Sequence, residues 1–217
     1  MDEIIVRAAK HEDAAAVARV YAPYVRDTVV TFEVEPPDAH TMARRMADTL
    51  AMYPWLVAEN AAGEIVGYAY AGRHRERPAY RWTIDTTVYI DTAHRRAGVG
   101  TKLYRSLLEI LRRQGFRSAF AEIVLPNAGS IGLHERMGFN KIGIHHDIGF
   151  KLGSWCDIGY WRLGLSSGTA PQSDPTPFPA FRFLPRSISS SAAYRRTTST
   201  CCSWAITASS FTAARCW

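Results

Sequence analysis

The 217-residue sequence contains little cysteine and no long apolar run. Its four cysteines show neither metal-site spacing nor a disulfide pattern, since Cys156 stands alone and Cys201, Cys202 and Cys216 lie near the end. No apolar stretch approaches the roughly 20 residues that a helix needs to cross a bilayer. The amino terminus is acidic and leads into a predicted strand, so it does not resemble a secretory signal. We therefore expect a cytoplasmic protein with no metal site and no membrane partner.

The sequence also lacks the usual nucleotide motifs and a concentrated basic region. It contains neither the Gly-Lys-Ser/Thr ending of a Walker loop nor a Gly-x-Gly-x-x-Gly dinucleotide motif. Of the formal net charge of +6, residues 166–217 contribute +4, from five arginines and the single acid Asp174. Only +2 remains for residues 1–165, whereas nucleic-acid binding favours a dense basic surface on the folded part. We expect no nucleic-acid partner.

Hydrophobic patterns divide residues 1–165 into eleven elements in the order β-α-α-β-β-β-α-β-α-β-β. The predicted strands are Ile4–Arg7, Trp55–Glu59, Glu64–Gly72, Trp82–Ile90, Ser118–Leu125, Phe139–Gly149 and Ser154–Leu163. The predicted helices are His11–Tyr21, Asp38–Met52, a central helix that ends at Gly115, and Ser130–Met137. This mixed order predicts one α/β domain, a sheet covered by helices, over residues 1–165.

Residues 166–217 differ in composition from the predicted domain. They are rich in Ser, Thr, Ala and Pro, lack Glu and Lys, and show no sustained period. Such a composition does not easily offset the entropy of ordering a chain. We predict a low-complexity tail, either disordered or translated out of frame; the alternative is a basic arm that binds RNA.

The most informative stretch is Asp85–Leu111. Thr86–Ile90 is β-branched and aromatic and predicts a strand, whereas the helical spacing of Val99, Leu103, Leu107 and Leu111 predicts an amphipathic helix. Between them lies Arg95-Arg96-Ala97-Gly98-Val99-Gly100. Glycines bring backbone N–H groups close to a ligand, and a helix start offers unpaired donors and a favourable dipole. With two arginines, this turn predicts a pyrophosphate-binding cradle; the alternative is a solvated surface loop.

Several ordered blocks accompany this turn between about residues 4 and 163. After the next strand come Asn127 and the motif Ser130-Ile131-x-Leu133-His134-Glu135-x-x-Gly138-Phe139. The other blocks are Tyr53–Glu59, Ala69–Gly72, Trp82–Tyr89, Leu125–Asn127 and Gly149–Trp161. Together they resemble the GCN5-related N-acetyltransferase (GNAT) superfamily, and within it the phosphinothricin and methionine sulfone or sulfoximine N-acetyltransferase branch. The resemblance implies a mixed, mostly antiparallel sheet with a splayed strand pair and helices on both faces.

The resemblance also implies an enzyme that uses acetyl-CoA to acetylate the primary amine of a small amino-acid-like acceptor, and that forms a homodimer. The amine would attack the thioester directly, in keeping with Cys156 as the one cysteine of the domain. Backbone groups of the strand would pair with the pantetheine arm and polarise the carbonyl, while the cradle and Asn127 would bind the rest of the cofactor. The implied cofactor-binding residues are Val88, Tyr89, Ile90, Arg95, Arg96, Ala97, Gly98, Val99, Gly100, Thr101, Asn127 and Ser130.

Two residues are candidates for proton transfer. An acceptor ammonium must lose a proton before it can attack, and Asp85, where the family carries glutamate, could take that proton through a water. His134 stands where the wider superfamily carries tyrosine and this branch carries histidine, and it could protonate the leaving thiolate. The alternatives are an ordinary strand-end acid for Asp85, a helix histidine bonded to a carbonyl for His134, and a turn residue for Asn127.

The family match further suggests acceptor contacts. Phe32 would wall the pocket, while Arg75, Arg77 and Tyr80 would hold an amino-acid carboxylate, for which a guanidinium is well suited; a solvated basic loop is the alternative. The aromatic residues Trp155, Tyr160 and Trp161 are predicted to be core or dimer-interface residues. Two rival functions stay open, a protein or peptide N-terminal acetyltransferase and a non-catalytic acyl-CoA-binding module.

Overall fold

The computed structural model describes residues 3–170 and 173–180, and within them the eleven main elements follow the predicted order. The strands are β1 Ile5–Ala8, β2 Trp55–Glu59, β3 Ile65–Arg73, β4 Thr83–Ile90, β5 Ser118–Leu125, β6 Asn140–Lys151 and β7 Ser154–Gly164. The helices are α1 Ala14–Asp27, α2 Ala39–Leu50, α3 Val99–Gln114 and α4 Ala128–Arg136. None of these helices is long and apolar enough to span a membrane.

The strands form one sheet in the order β1-β2-β3-β4-β5-β7-β6. All neighbours are antiparallel except β4 and β5, which are parallel and pair at only three positions. Those pairs are Thr83 with Ser118, Ile84 with Ala119 and Asp85 with Phe120. Beyond Asp85 the two strands part, so the predicted splayed, mostly antiparallel sheet is confirmed.

Each face of the sheet carries its own hydrophobic core, because side chains alternate along a strand. Leu56 and Ile84 face the central helix α3, where Leu103, Leu107 and Leu111 are fully buried. Val57 and Tyr68 face the opposite side and pack against α1 and α2. The helical spacing in α3 therefore correctly indicates its buried face, and helices cover both faces of the sheet as predicted.

Several element ends extend beyond the predicted ones. Helix α1 continues past Tyr21 to Asp27 with Pro23 inside it, because Val25 is buried and the Tyr24 hydroxyl donates to the carbonyl of Ile90. These contacts outweigh the one backbone N–H that proline lacks. Strand β6 continues past Gly149 to Lys151 and includes two register shifts.

Part of the predicted tail contacts the domain. The buried Phe178 donates its backbone N–H to Met52, and the Gln114 amide donates to the carbonyl of Thr176 at 2.8 Å. The boundary at residue 165 and the disorder of the tail stay predictions. Residues 1–2, 171–172 and 181–217, including the three cysteines near the end, lie outside the described residues.

Candidate active site

A cleft of about 780 Å³ opens where β4 and β5 part. Side chains along β4 alternate, so Thr86 and Val88 face α3, whereas Thr87 and Tyr89 face the side of α1. Both sets line the cleft, and so do Ile123 and Val124 on opposite faces of β5. The cleft therefore passes through the sheet and can admit one molecule from each face.

The amino-terminal end of α3 lines this cleft with unpaired backbone donors. Gly98 precedes the helix in a left-handed conformation (φ 80°), and no side chain among residues 3–170 and 173–180 caps the helix start. The first intrahelical hydrogen bond runs from the Lys102 N–H to the Gly98 carbonyl, which leaves the N–H groups of Val99, Gly100 and Thr101 free. Bare donors at the positive end of a helix suit a pyrophosphate.

Two arginines and a close helix contact complete the cradle. Arg95 and Arg96 both line the cleft, and the Arg95 guanidinium lies 5.1 Å from the centre of the Tyr24 ring. A Cβ atom at Gly100 would lie 3.0 Å from the Leu133 Cδ2 atom, so α3 and α4 are in close contact here. Of the predicted cofactor-binding residues, all but Ala97 line the cleft. Their binding role stays a prediction, and the residues present fit it.

One edge of β4 is available to a ligand beyond Asp85. The other edge pairs with β3 as far as Ile90, but the described part of the chain pairs no strand with β4 on the β5 side past Asp85. The outward groups are those of Val88 and Ile90, and they can pair with an extended arm, although the Ile90 carbonyl also accepts from the Tyr24 hydroxyl. Asn127 lies opposite and caps α4, since its Oδ1 accepts from the Ser130 N–H at 3.1 Å. Asn127 thus has a structural contact as a helix cap, and its Nδ2 donates to none of the described residues.

His134 is only 3% exposed, and both of its ring nitrogens have partners. Nδ1 lies 2.8 Å from the Ser130 carbonyl, which can only accept, so Nδ1 carries the proton. Nε2 then accepts from the Tyr104 hydroxyl at 2.7 Å. Burial lowers the pKa of His134, which favours this neutral form. The alternative interpretation, a helix histidine bonded to a carbonyl, describes this geometry.

Two hydroxyl groups lie close to His134, which itself lines the cleft. Tyr104 lies 3.3 Å from the Thr86 hydroxyl, which donates to the Phe120 carbonyl at 3.0 Å and lines the cleft. Sequence reasoning did not single out Tyr104 or Thr86, because each also fits the ordinary pattern of its helix or strand. A direct proton-donor role for His134 stays a prediction; in this geometry its Nδ1 proton is held by the Ser130 carbonyl.

Asp85 lies beside the cleft rather than in its wall. It occupies the last β4–β5 pair, on the side of the sheet that faces α1, and its Oδ1 lies 2.7 Å from the His74 Nδ1. Burial raises the pKa of the Asp85 carboxyl, while the nearby His74 and Arg75 act in the opposite direction. The carboxylate thus has a defined partner that the sequence analysis did not identify, and its catalytic role stays a prediction.

A second carboxyl group, Glu122 on β5, lines the cleft on the same face as Asp85. Burial and the neighbouring Asp85 raise the pKa of Glu122, while Arg75, His74 and His145 oppose this. The signal for it was present in the sequence, because Glu122 is the one charged residue in the strand Ser118–Leu125. A charge in a strand that is otherwise mostly buried indicates a special environment.

The predicted acceptor residues do not all meet at one place. The Arg75 guanidinium donates to the His74 carbonyl at 2.8 Å, and the Tyr80 ring lies edge-on to the His74 ring with centroids 6.0 Å apart. Phe32 instead packs on Gly149 of β6, and the exposed side chain of Arg77 makes no hydrogen bond or ion pair with the described residues. All four roles stay predictions, and Arg75 and Tyr80 are the two close to Asp85.

An aromatic cavity of about 330 Å³ adjoins this side of the sheet. Its wall includes Trp55, Tyr68 and Tyr70, and it also contains the ion pair between Glu33 and Arg45, at 2.7 Å. Tyr89 lines both this cavity and the cleft. The face reached by Asp85 therefore combines charged groups with apolar space. Within the described residues, no three His, Cys, Asp or Glu side chains are grouped as a metal ion would require.

Comparison with known proteins identifies similar N-acetyltransferases. The chain is 40% identical over 167 residues to a phosphinothricin N-acetyltransferase of Streptomyces viridochromogenes, which covers 77% of this chain and 91% of that protein. It is 37% identical over 164 residues to an L-methionine sulfoximine/L-methionine sulfone acetyltransferase of Pseudomonas aeruginosa, covering 74% and 94% of the two proteins.

A solved structure gives the same result for the fold. The GNAT superfamily phosphinothricin acetyltransferase of Sinorhizobium meliloti, in complex with acetyl-CoA, matches with a TM-score of 0.77 at 32% identity, over 85% of this chain and 99% of that one. The family model described as an acetyltransferase (GNAT) domain matches residues 6–159. The chain therefore belongs to the GNAT acetyltransferase family, and it is an N-acetyltransferase.

Proposed function

We propose that this enzyme transfers the acetyl group of acetyl-CoA to the primary amine of a small amino-acid-like acceptor. Phosphinothricin, methionine sulfone and methionine sulfoximine are the preferred acceptors, in line with the names of the relatives. The single observation that carries the proposal is the uncapped start of α3 facing a cleft that crosses the sheet beside Asp85. The cofactor side and the acceptor side are then opposite faces of one opening.

On the cofactor side, residues of the chain bind and orient acetyl-CoA. The free N–H groups at Val99–Thr101 and the guanidinium groups of Arg95 and Arg96 hold the pyrophosphate of acetyl-CoA, which supplies the thioester. The outward N–H groups of β4 at Val88 and Ile90 point to the place where negative charge develops on the carbonyl oxygen. A donor of this kind is worth about 3 kcal/mol of the barrier.

On the acceptor side, the charged groups recognise an amino acid. Asp85 and Glu122 attract the ammonium, and Arg75 is close enough to both to oppose their raised pKa values. A guanidinium donates two parallel hydrogen bonds to a carboxylate or phosphinate. We assign this role to Arg75, because the charge of Arg75, and not that of Arg77, lowers the pKa of both carboxyl groups.

A screen of thiol release tests the acceptor class. We expect release of CoA with phosphinothricin, methionine sulfone and methionine sulfoximine, and at least about 100-fold lower kcat/KM with peptides that carry the same residue at the amino terminus, because a free carboxylate next to the amine is lost to Arg75. Replacing Arg75 with glutamine should raise KM for the free amino acids and leave the peptide rate unchanged.

Two results of this screen would contradict the proposal. Peptides used as well as free amino acids would favour a protein or peptide N-terminal acetyltransferase. Acetyl-CoA binding by calorimetry without thiol release across the amines would favour a non-catalytic acyl-CoA-binding module. Arg26→Gln, which changes an exposed arginine of α1, is the matched control for Arg75→Gln.

We further propose that the enzyme is a cytoplasmic homodimer. Its cytoplasmic location is supported by its dependence on acetyl-CoA. The dimer is supported by a group of exposed hydrophobic side chains on the β6–β7 hairpin, which we call the hairpin patch: Ile142, Ile148, Phe150, Leu152 and Trp155. Strand β6 is also the last strand of the sheet. A second copy of the chain would cover this patch, since grouped exposed apolar residues mark protein interfaces.

Replacing Trp155 with glutamate should convert the dimer into a monomer, because Trp155 is 63% exposed in the single chain and packs edge-on against Phe150 in the hairpin patch. Light scattering after size-exclusion chromatography measures the mass directly. Ile5→Glu, at the opposite edge of the sheet, is the control that should leave the mass unchanged. A wild-type chain that elutes as a monomer would contradict the homodimer.

A further inference from the structure

We propose that His74, held in place by Asp85, is the group that takes the proton from the acceptor ammonium; this inference rests on the proposed acetylation of an amine at the α1 side of the cleft. His74 follows β3, whose register places Gly72 opposite Asp85. The pair thus joins a loop residue to the last residue of β4 before the strands part.

The position of the ring is defined from two directions. The Asp85 Oδ1 lies 2.7 Å from the His74 Nδ1, and the His74 ring stacks on the Phe120 ring with centroids 4.6 Å apart and planes inclined by 20°. Phe120 is itself the β5 partner of Asp85. The imidazole therefore covers the last β4–β5 pair, at the point where the cleft begins.

The contact with Asp85 determines which nitrogen of the His74 ring carries a proton. An ionised carboxylate only accepts hydrogen bonds, so the His74 Nδ1 carries a proton and donates it to Asp85. Nε2 then has a free lone pair, and it has no hydrogen-bond partner among the residues that the structure describes. The His74 side chain keeps 13% of its surface exposed, which leaves room for a ligand to reach it. Asp85 selects the tautomer in which the outer nitrogen is a base.

The His74–Asp85 pair compensates for the short side chain of Asp85. Aspartate is one methylene shorter than the glutamate of the resembling family, and its Oδ1 is already occupied by His74. The imidazole provides a second proton-accepting position beyond the Asp85 carboxylate, and like Asp85 it lies beside the cleft rather than in its wall. The carboxylate then acts as a positioning group that stabilises the imidazolium, as in other carboxylate–histidine pairs.

The proton transfer step balances as follows. The acceptor R–NH₃⁺ gives one proton to the His74 Nε2, and the resulting imidazolium is paired with the Asp85 carboxylate. The free amine attacks the thioester carbonyl carbon, the C–S bond breaks, and the second nitrogen proton leaves with the thiolate as CoA–SH. The imidazolium then returns its proton to water, so each turnover releases one proton.

Other charged and titratable groups face this pair from every element that packs against it. The charged groups are Glu122 of β5 and Arg75 of the same loop as His74. The neutral or titratable neighbours are Tyr70 on β3, Tyr80 in the loop, Tyr160 on β7 and His145 on β6, which lies 3.4 Å from the Tyr160 hydroxyl. The pH dependence of the pair is therefore that of a cluster, and substitutions at His74 must be compared over a full pH range.

Replacing His74 with alanine should lower kcat/KM at pH 7 by about 100-fold, the usual contribution of a positioned base. The loss should shrink to less than about tenfold at pH 10, where the free amine is already present. The double variant His74→Ala, Asp85→Glu should regain at least about tenfold over His74→Ala, because the longer carboxylate can replace the missing reach. A residue with a purely structural role would produce neither the pH-dependent recovery nor the rescue.

Two measurements distinguish loss of the base at His74 from misfolding and from failure of the proposed function. Acetyl-CoA binding by calorimetry should be unchanged in His74→Ala, and the exposed α2 residue His40 gives the control variant His40→Ala with wild-type rates. Nuclear magnetic resonance of the wild-type chain should show a downfield Nδ1–H proton that disappears in Asp85→Asn, whether or not an acceptor is known. A missing Nδ1–H signal, or a His74→Ala variant within about twofold of the wild-type rate at pH 7, would overturn the inference.

Discussion

Exchange of Gly100 for tryptophan should raise the dissociation constant for acetyl-CoA by at least about 100-fold, equivalent to about 2.7 kcal/mol. Gly100 lies in the first turn of α3, where its N–H is one of the three free donors, and the residues that a side chain there would meet, Leu133 and Ile90, also line the cleft. An indole there would occupy the place of the pyrophosphate. Isothermal calorimetry measures the effect without an acceptor.

The size of the side chain should determine the loss. A Cβ atom at position 100 meets the end of the flexible Leu133 side chain at 3.0 Å and Ile90 only at 3.9 Å, so Gly100→Ala requires a small shift and should weaken binding much less than tryptophan. Gly164→Trp places the same indole at the end of β7, where nothing lies within 4 Å, and should bind acetyl-CoA as the wild type does. Unchanged affinity in Gly100→Trp would rule out this helix start as the cradle.

The parts of the site that depend on local sequence could be predicted. Whether α3 forms and which face it buries depend on the spacing of Val99, Leu103, Leu107 and Leu111, and all four are buried. The Arg-x-x-Gly-x-Gly turn depends on glycine, and Gly98 indeed adopts the left-handed conformation at the helix start. Such features need only the neighbouring residues, so periodicity and turn chemistry were sufficient.

The contacts of Asp85 depend on residues far apart in the chain. Its pairing with His74 requires the β3–β4 register, and its proximity to Glu122 requires both the parallel β4–β5 pairing and the splay beyond it. A histidine in an irregular basic loop carries no periodic signal. The sequence analysis therefore identified Asp85 as a candidate base. In the neighbouring loop it selected Arg75, Arg77 and Tyr80 as acceptor contacts, and it did not select His74.

Buried polar networks were similarly difficult to predict. His134 was recognised through the motif around it, but the sequence could not show that its two ring nitrogens are both occupied, by Ser130 and by Tyr104. The latter contact joins α4 to α3, and Tyr104 fits the apolar face of its helix. Polar atoms at the ends of aromatic side chains find partners when buried, yet which partner they find depends on the packed structure.

Removal of the Asp85 carboxylate should lower kcat by about 100-fold at pH 7, with recovery to within about tenfold of the wild type at pH 10. Near neutral pH nearly all of the acceptor amine is protonated, since its pKa is close to that of lysine, and Asp85→Ala leaves His74 without the partner that stabilises its imidazolium. At pH 10 a large share of the amine is free and needs no base. The measurement is a pH profile of kcat and kcat/KM from pH 5 to 10, with Asp27→Ala on the exposed end of α1 as the control.

The acidic part of the pH profile shows how ionisation of Asp85 affects stability and rate. Burial raises the pKa of the Asp85 carboxyl above the ordinary 3.8, so the folded protein binds this proton more tightly than the unfolded chain does. Ionisation of Asp85 therefore lowers the stability of the folded protein as the pH rises from the carboxyl pKa of the unfolded chain through that of the folded protein. For this reason Asp85→Ala should not unfold the protein at neutral pH. In the wild type, the rate should fall as the pH drops towards the raised pKa, and this part of the profile should be absent in the variant. A variant profile parallel to that of the wild type would remove Asp85, and with it the positioned His74, from proton transfer.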